Sequence, residues 1–336
     1  MKIQIRTFHY GANHGAFLQA YGLMQACAQF EASYVADYAS ADAIRAERRV
    51  LLNRMRPRVW LRYYQIMRSF ARVQSQLRLE PASTSTDAII CGSDEIWNVS
   101  NPVTGYDDFY FGASDSSARR IAYAPSVGGA TVKDLQAIPG LGEALSQFHA
   151  LSVRDAHSQK TLEAAFGLQA EIVPDPVFLY DFPEEEPMPE YEGCILVYAS
   201  SMGNQFAEGL AALKAATGAK IVSLFYPARG ADVHLNNVTP FQGLSLFRNA
   251  RCVVTTTFHG AMLSLRVGTP IMVKLTPEKS HKIIHWLEHF GVMDRVIDQP
   301  AELLEIMKQD WDAEQIRSHA LDLRKTGLSY LERALT

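Results

Sequence analysis

No run of about 18 apolar residues interrupts this chain, and Met1 to Tyr10 contains no apolar core, so the sequence predicts neither a membrane-spanning helix nor a signal peptide. Metal spacing is missing too. The four cysteines, Cys27, Cys91, Cys194 and Cys252, are far apart in apolar or helical surroundings, which predicts buried reduced thiols, a cytoplasmic protein and no metal centre. There is no excess of positive charge: the formal net charge of -4 excludes a global field for nucleic acid. No repeat of solenoid length is present. What remains is a 336-residue chain of ordinary apolar content, 48%, long enough for two α/β domains.

Acids are scarce in one place. Between Arg45 and Leu79 there are ten arginines and a single acid, Glu47, a local charge of +9. Val50, Trp60, Leu61, Tyr63, Tyr64, Met67 and Phe70 are interleaved with them. This reads as two basic amphipathic helices broken near Pro57, inserted at about 42–80. Such a face suits an anionic membrane surface or a lipid-linked phosphate. A solvated insertion paired with acids elsewhere explains it equally well.

The remaining pattern alternates short apolar runs with amphipathic stretches, the mark of parallel strands joined by helices. A first strand around Ile3 and Ile5 leads through the glycine loop Gly11 to Gly15 into a helix over 16–30. Asn13 and His14 are the side chains this loop presents, although a tight turn needs its glycines for backbone reasons alone. A strand over 87–91 ends at Asp94, Glu95 and Trp97, two acids and an aromatic suited to a sugar. Alternatively Asp94 caps a turn and Trp97 is core. Strands over 120–124 and 148–153 follow, and Arg154 at the end of the second can fork a phosphate or carboxylate, or pair with an acid. Asp175 stands between two prolines and can equally cap a turn.

After an acidic, proline-rich linker over 181–193 the pattern restarts: strand 194–198, helix 205–217, strand 220–225, helix 241–249, strand 252–256, helix 261–267, strand 271–275. Thr257, Phe258, His259 and Gly260 form the corner between the strand and helix of 252–267, where an α/β sheet opens to its ligand. His259 can move a proton near neutral pH, or merely cap its helix. Lys279, Ser280, His281 and Lys282 head a helix to Phe290, and cations at a helix N-terminus imply an anion between them. Amphipathic helices over 301–308 and 313–335 close the chain. The expected organisation is an N-terminal Rossmann-like domain over 1–180, a C-terminal one over 191–300 and terminal helices over 301–336, the two domains facing a cleft.

Five segments in this order give the chain a family resemblance: GANHGAFLQAY from Gly11 to Tyr21, ICGSDEIWN from Ile90 to Asn98, LSVRD from Leu151 to Asp155, VPDP from Val173 to Pro176, and TTFHG from Thr256 to Gly260. Together they resemble the polysaccharide pyruvyl transferase family. The resemblance implies a fold similar to two-domain B-type glycosyltransferases, with phosphoenolpyruvate as co-substrate and no other cofactor. The acceptor would be a sugar in an exopolysaccharide precursor, probed at the inner membrane face if lipid-linked, and the product a pyruvate ketal. It casts His259 as the acid, with Asp94 and Asp175 as further catalytic residues. Arg154, Lys274, Lys279, Ser280, His281, Thr257, Phe258 and Gly260 would hold the donor, and Asn13, His14, Glu95 and Trp97 the acceptor. Two positions depart from the family: Thr257 replaces an arginine common beside the histidine, and Glu95 replaces the usual glutamine. The first change moves the carboxylate anchor elsewhere and keeps two rivals in view, a nucleotide-sugar glycosyltransferase of the same fold and a non-catalytic assembly protein.

Overall fold

In the computed structural model residues 1–11, 13–40, 44–45, 57–113, 117–200, 202–276 and 280–336 are described. Two compact units divide the chain. The first comprises Met1–Leu61, Val73–Asp181 and Leu323–Thr336, the second Arg62–Arg72 and Phe182–Asp322.

The first unit is built on five parallel strands, β1 (Lys2–Arg6), β2 (Ala32–Asp37), β3 (Leu79–Pro81), β4 (Ala88–Cys91) and β5 (Arg119–Ala122), in the order β3-β2-β1-β4-β5. Ile3 and Ile5 of β1 face Ala88 and Ile90 of β4 across the ladder, and all four are fully buried. A strand buried on both faces needs no alternation, which is why the run of β4 is wholly apolar. A bridge from Ile121 to Ala150 carries the sheet on to β6 (Ser152–Val153), which pairs with β7 (Glu171–Ile172). The expected strand over 148–153 is therefore regular only in its last two residues. Helix α1 (His14–Cys27) links β1 to β2, and α2 (Pro57–Ala71) precedes β3. Between β5 and β7 come α3 (Val132–Gln136), α4 (Leu141–Ser146) and α5 (Ala156–Phe166).

The second unit repeats the plan. Its strands β8 (Ile195–Tyr198), β9 (Ile221–Leu224), β10 (Val233–Leu235), β11 (Cys252–Thr255) and β12 (Ile271–Val273) are parallel in the order β10-β9-β8-β11-β12. Helices α6 (Phe206–Thr217), α7 (Pro240–Asn249), α8 (Phe258–Val267), α9 (Ser280–His289), α10 (Glu302–Met307) and α11 (Ala313–Leu335) complete it. Local chemistry fixes the start of α7: Thr239 and Gln242 form a reciprocal capping box, with Pro240 at the first helical position.

Both ends of the domain plan differ from three consecutive segments. The last turns of α11 belong to the first unit, where Tyr330 Oη donates to the Ala122 carbonyl at 2.8 Å, Arg119 donates to the Leu335 carbonyl at 2.9 Å, and Leu331 is fully buried. The stretch Arg62–Arg72 within the arginine-rich segment belongs to the second unit, where Arg72 Nη2 donates to the Asn237 carbonyl at 3.3 Å. The helix expected before Pro57 lies outside the described residues. All four cysteines are free and buried, and burial pushes the thiols of Cys91, Cys194 and Cys252 up to about 12. No described helix is long and apolar enough to cross a membrane.

Candidate functional site

In a sheet ordered 3-2-1-4-5 the chain reverses its winding between the first and fourth strands, and the crevice beyond their carboxyl ends is where α/β folds place ligands. Each unit has such a point, at β1/β4 and at β8/β11. Both carry residues singled out from sequence.

At the β4 end the chain turns sharply. Gly92 has φ of +132°, and a Cβ there would meet the Tyr123 carbonyl oxygen at 1.9 Å, so only glycine fits. Asp94 and Ala124 take the left-handed region with φ of 73° and 51°, a strained arrangement for side-chain-bearing residues. The turn is held by Ser93 Oγ, which donates to the Ala124 carbonyl at 3.0 Å, and by the Ser126 N–H, which donates to the Asp94 carbonyl at 2.8 Å. Against this turn lies Arg154, its side chain completely buried. Its Nη1 meets Asp175 Oδ2 at 2.8 Å and its Nη2 lies 3.6 Å from Asp94 Oδ1. Burial alone would pull the guanidinium's pKa down; the charges of Asp175, Asp94 and Asp155 outweigh it, and the net direction is up.

Three of the sequence segments thus converge on one ion-paired core. The arginine offered as a donor clamp is enclosed by carboxylates, the ion-pair alternative weighed above. Asp175 also caps the turn Pro176–Phe178 by accepting from the Val177 N–H at 3.1 Å. Helix α1, from the first segment, packs against that turn. Asn13 is exposed and caps α1, its Oδ1 accepting from the N–H groups of Gly15 and Ala16 at 3.0 and 3.3 Å, while His14 is buried. Glu95 is half-buried and accepts from Asn98 Nδ2 at 3.0 Å. Trp97 requires a correction. It is fully buried, stacked on Phe111 at 5.6 Å and edge-on to Phe148 at 5.7 Å, with Nε1 donating to the Tyr110 carbonyl. Its ring presents no face to a sugar because the aromatic core behind β4 claims it.

At the β11 end the hydroxyls do the positioning. Thr255 Oγ1 donates to the Tyr198 carbonyl at 2.7 Å, joining the ends of β8 and β11, and accepts from the Thr257 N–H at 3.0 Å. Thr257 caps α8, accepting from the Gly260 N–H at 3.0 Å. A Cβ on Gly260 would meet Thr255 Oγ1 at 2.1 Å, so this corner also needs glycine. His259 follows in the first turn of α8, 8% exposed, its ring edge-on to Phe258 at 5.3 Å. Lys282 Nζ sits 5.4 Å above the Phe258 ring. The first turns of α8 and α9 themselves contain no acid, which leaves the positive ends of these helix dipoles suited to an anion. Lys274, just past β12, reaches the Asp298 carbonyl at 3.5 Å and lies over the Phe206 ring at 5.1 Å. Ser280 and the exposed His281 open α9, and Lys279 lies outside the described residues.

Sequence reasoning overlooked Ser93, Ser126, Asp155, Tyr198 and Thr255 as supports of these corners. Ser126 Oγ donates to Asp155 Oδ2 at 2.8 Å, and Asp155 caps α5 through the Ser158 N–H at 2.8 Å. The signal was their place at strand ends. Among the described residues no cluster of three or more His, Cys, Asp or Glu is arranged to hold a metal ion.

The family model described as polysaccharide pyruvyl transferase matches residues 13–273. Among curated protein sequences no relative matches. Solved structures share the fold. The UDP-N-acetylglucosamine 2-epimerase from Rickettsia bellii aligns with a TM-score of 0.54 at 10% identity, over 99% of this chain and 96% of that one. The α,α-trehalose-phosphate synthase from Burkholderia xenovorans gives 0.53 at 12% identity over 99% and 98%. The S. aureus MnaA–UDP co-structure gives 0.54 at 11% identity over 100% and 95%. At such identities the likeness is one of architecture, the two-domain B-type glycosyltransferase fold.

Proposed function

The chain belongs to the polysaccharide pyruvyl transferase family, and from that premise we propose that it moves the enolpyruvyl group of phosphoenolpyruvate onto two hydroxyls of a sugar in a lipid-linked exopolysaccharide precursor. The work is done in the cytoplasm, at the inner face of the membrane. The single observation that carries the donor assignment is the chemistry of the β8/β11 end: a histidine in the first turn of a helix without an acid, Lys282 Nζ 5.4 Å above the ring of the adjoining Phe258, and α9 packed against that helix. An anion is favoured there by helix N-terminal N–H groups and cations. At the β1/β4 end Arg154 is already neutralised by Asp175 and Asp94, so a trianionic donor is disfavoured on that side.

In this reading His259 protonates the methylene carbon of phosphoenolpyruvate, which becomes the methyl group, and the neighbouring carbon takes on oxocarbenium character. A first sugar hydroxyl adds to that carbon and gives up its proton. The carbon–oxygen bond to phosphate then breaks, and the second hydroxyl adds in its place to close the ketal. The two hydroxyl protons balance the one taken up by carbon and the one that leaves with phosphate. Asp94, with 16% of its side chain exposed, is the base; Asp175, fully enclosed, positions Arg154. Lys274, Ser280, His281 and Lys279 supply the donor's remaining contacts, Thr257 and Gly260 shape the corner, and Asn13, His14 and Glu95 serve the acceptor side.

The test is thermal stabilisation by phosphoenolpyruvate, inorganic phosphate, pyruvate and nucleoside diphosphates, followed by phosphate release with acceptor. A ligand at a hundredfold excess over Kd adds about 2.7 kcal/mol, enough to rank the panel. Stabilisation by phosphoenolpyruvate, with phosphate release lost in His259→Ala, is the expected result. Stabilisation by a nucleoside diphosphate alone would replace this reading with a nucleotide-sugar glycosyltransferase. Polysaccharide pyruvylation that survives His259→Ala in cells but not deletion of the chain would make it an assembly protein.

A further inference from the structure

Helix α2 turns the wrong face to water. In a surface helix the apolar stripe points inward and polar residues outward. Here Ile66, Ser69 and Phe70 are buried, yet the opposite side carries Trp60, Leu61, Tyr64 and Met67, exposed by 62, 53, 51 and 36%. Trp60, Tyr64, Met67 and Ala71 follow one another at helical spacing, so they form a continuous stripe. Exposed Arg68 and Arg72 lie beside it. Four of the ten large exposed apolar side chains among the described residues fall within this one helix, which sets it apart from scattered surface apolarity.

Its charge is equally one-sided. Residues 48–79 contain nine arginines and no acid. Ile66 and Phe70 are buried, and Arg72 just past the helix is held to Asn237, so the helix is anchored while its aromatic stripe stays exposed.

We propose that α2 is an interfacial helix that docks this protein on an anionic bilayer, inserting Trp60, Leu61, Tyr64 and Met67 while its arginines contact lipid headgroups. Tryptophan and tyrosine are the side chains that settle at the headgroup level, one end apolar and the other hydrogen-bonding. Arginines without intervening acids suit a uniform anionic surface, where each adds attraction without needing a matched partner. A second copy meeting through the same face would set arginine against arginine, since a two-fold interface pairs a patch with itself. The surface is one at which a lipid-linked acceptor would be met, but the inference does not rest on the donor or on the reaction.

The experiment uses the full chain with vesicles of phosphatidylcholine alone and of phosphatidylcholine mixed with phosphatidylglycerol, read by sedimentation and tryptophan fluorescence. Trp97 and Trp286 are buried at 0 and 2% exposure and Trp311 is partly buried, so an emission shift or quenching by brominated lipid reports Trp60. Binding to the anionic vesicles with such a shift is expected. Partitioning should fall about tenfold or more in Trp60→Ser/Tyr64→Ser, by apolar loss, and in Arg58→Gln/Arg68→Gln, by charge loss. Leu321→Ser, at an exposed apolar position outside α2, should bind as the parent does. Circular dichroism and phosphate release with a soluble acceptor should be unchanged in all three, which separates failure of docking from failure of the reaction. The proposal is overturned by absent vesicle binding, by equal binding to neutral vesicles, or by binding that Trp60→Ser/Tyr64→Ser leaves intact. Lipid-free self-association abolished by that double variant would also overturn it and assign the face to a second copy.

Discussion

Replacing Arg154 with methionine tests whether the β1/β4 end is held together by charge. Arg154 Nη1 and Asp175 Oδ2 are 2.8 Å apart, and both side chains have 0% exposure. Methionine fills most of the volume but leaves Asp175 with the Val177 N–H at 3.1 Å and a long contact from Ser93 Oγ at 3.5 Å. An uncompensated buried carboxylate of this kind costs about 3–5 kcal/mol. Arg333→Met is the control. Arg333 and Glu171 are equally close, at 2.9 Å, but each is 60% exposed, and such a pair is worth about 1 kcal/mol or less. Distance predicts the same loss for both; burial predicts a several-fold difference.

The assay is thermal and urea denaturation of the two single variants and of Arg154→Met/Asp175→Asn, in which the asparagine keeps an acceptor for the Val177 N–H. Arg154→Met should lower the melting temperature by roughly 6–20 °C, and the double variant should recover more than half of that. An Arg154→Met loss no larger than that of Arg333→Met would refute the reasoning, as would a double variant no more stable than the single. If the double variant is still stabilised by phosphoenolpyruvate, Arg154 is a positioning residue and does not touch the donor.

How far these features can be read in the sequence depends on whether their cause is local. β8 and β11 were legible because a parallel strand buried on both faces is apolar throughout, and ILVY and CVVT are buried at every position. Helix α7 was placed at 241–249, one residue short of its start, although Thr239, Pro240 and Gln242 also mark that start locally. β2 was missed: ASYVAD has polar or small residues at four of six positions, and it is a strand only because β1 and β3 flank it. β10 is a half-buried three-residue edge with one neighbour. The period of α11 shows that one face is apolar but cannot say which unit it meets; Tyr330 bonds to Ala122, 208 residues away. The site followed the same rule. His259, Asp94 and Arg154 could be placed at strand ends because a corner after a strand can be located, whereas the meeting of Arg154, Asp94 and Asp175 could not be read, since it comes only through the order of the sheet. Trp97 failed for a related reason: an aromatic beside two acids suits a sugar and a core alike, and only Phe111 and Phe148 decide between them.

Trp97→Ala should cost about 3–5 kcal/mol by denaturation, with the acceptor KM of the folded enzyme unchanged; a raised KM without lost stability would return Trp97 to the acceptor site. Acid should weaken the fold well before its carboxylates protonate. His289 has its pKa lowered from 6.5 by burial first and then by the charges of His319 and His285. His9 is lowered mainly by burial, against the Thr7 carbonyl and Asp37, and His234 by burial and then Arg62. With the native pKa below the unfolded one, the unfolded chain binds more protons as pH drops. The stabilisation is therefore complete above about pH 6.5 and is lost as pH falls from there towards the lowered native values. The depressed carboxylates Asp134, Asp232 and Glu302, set mainly by hydrogen bonds, act only in the lower range near and below their ordinary values of 3.8 and 4.5. Melting temperatures between about pH 7.5 and pH 5 isolate the histidines. His9→Gln, at the buried one of the three, should flatten that slope, and a melting temperature that holds steady or rises on acidification through this window would show that these histidines do not set the acid response of the fold.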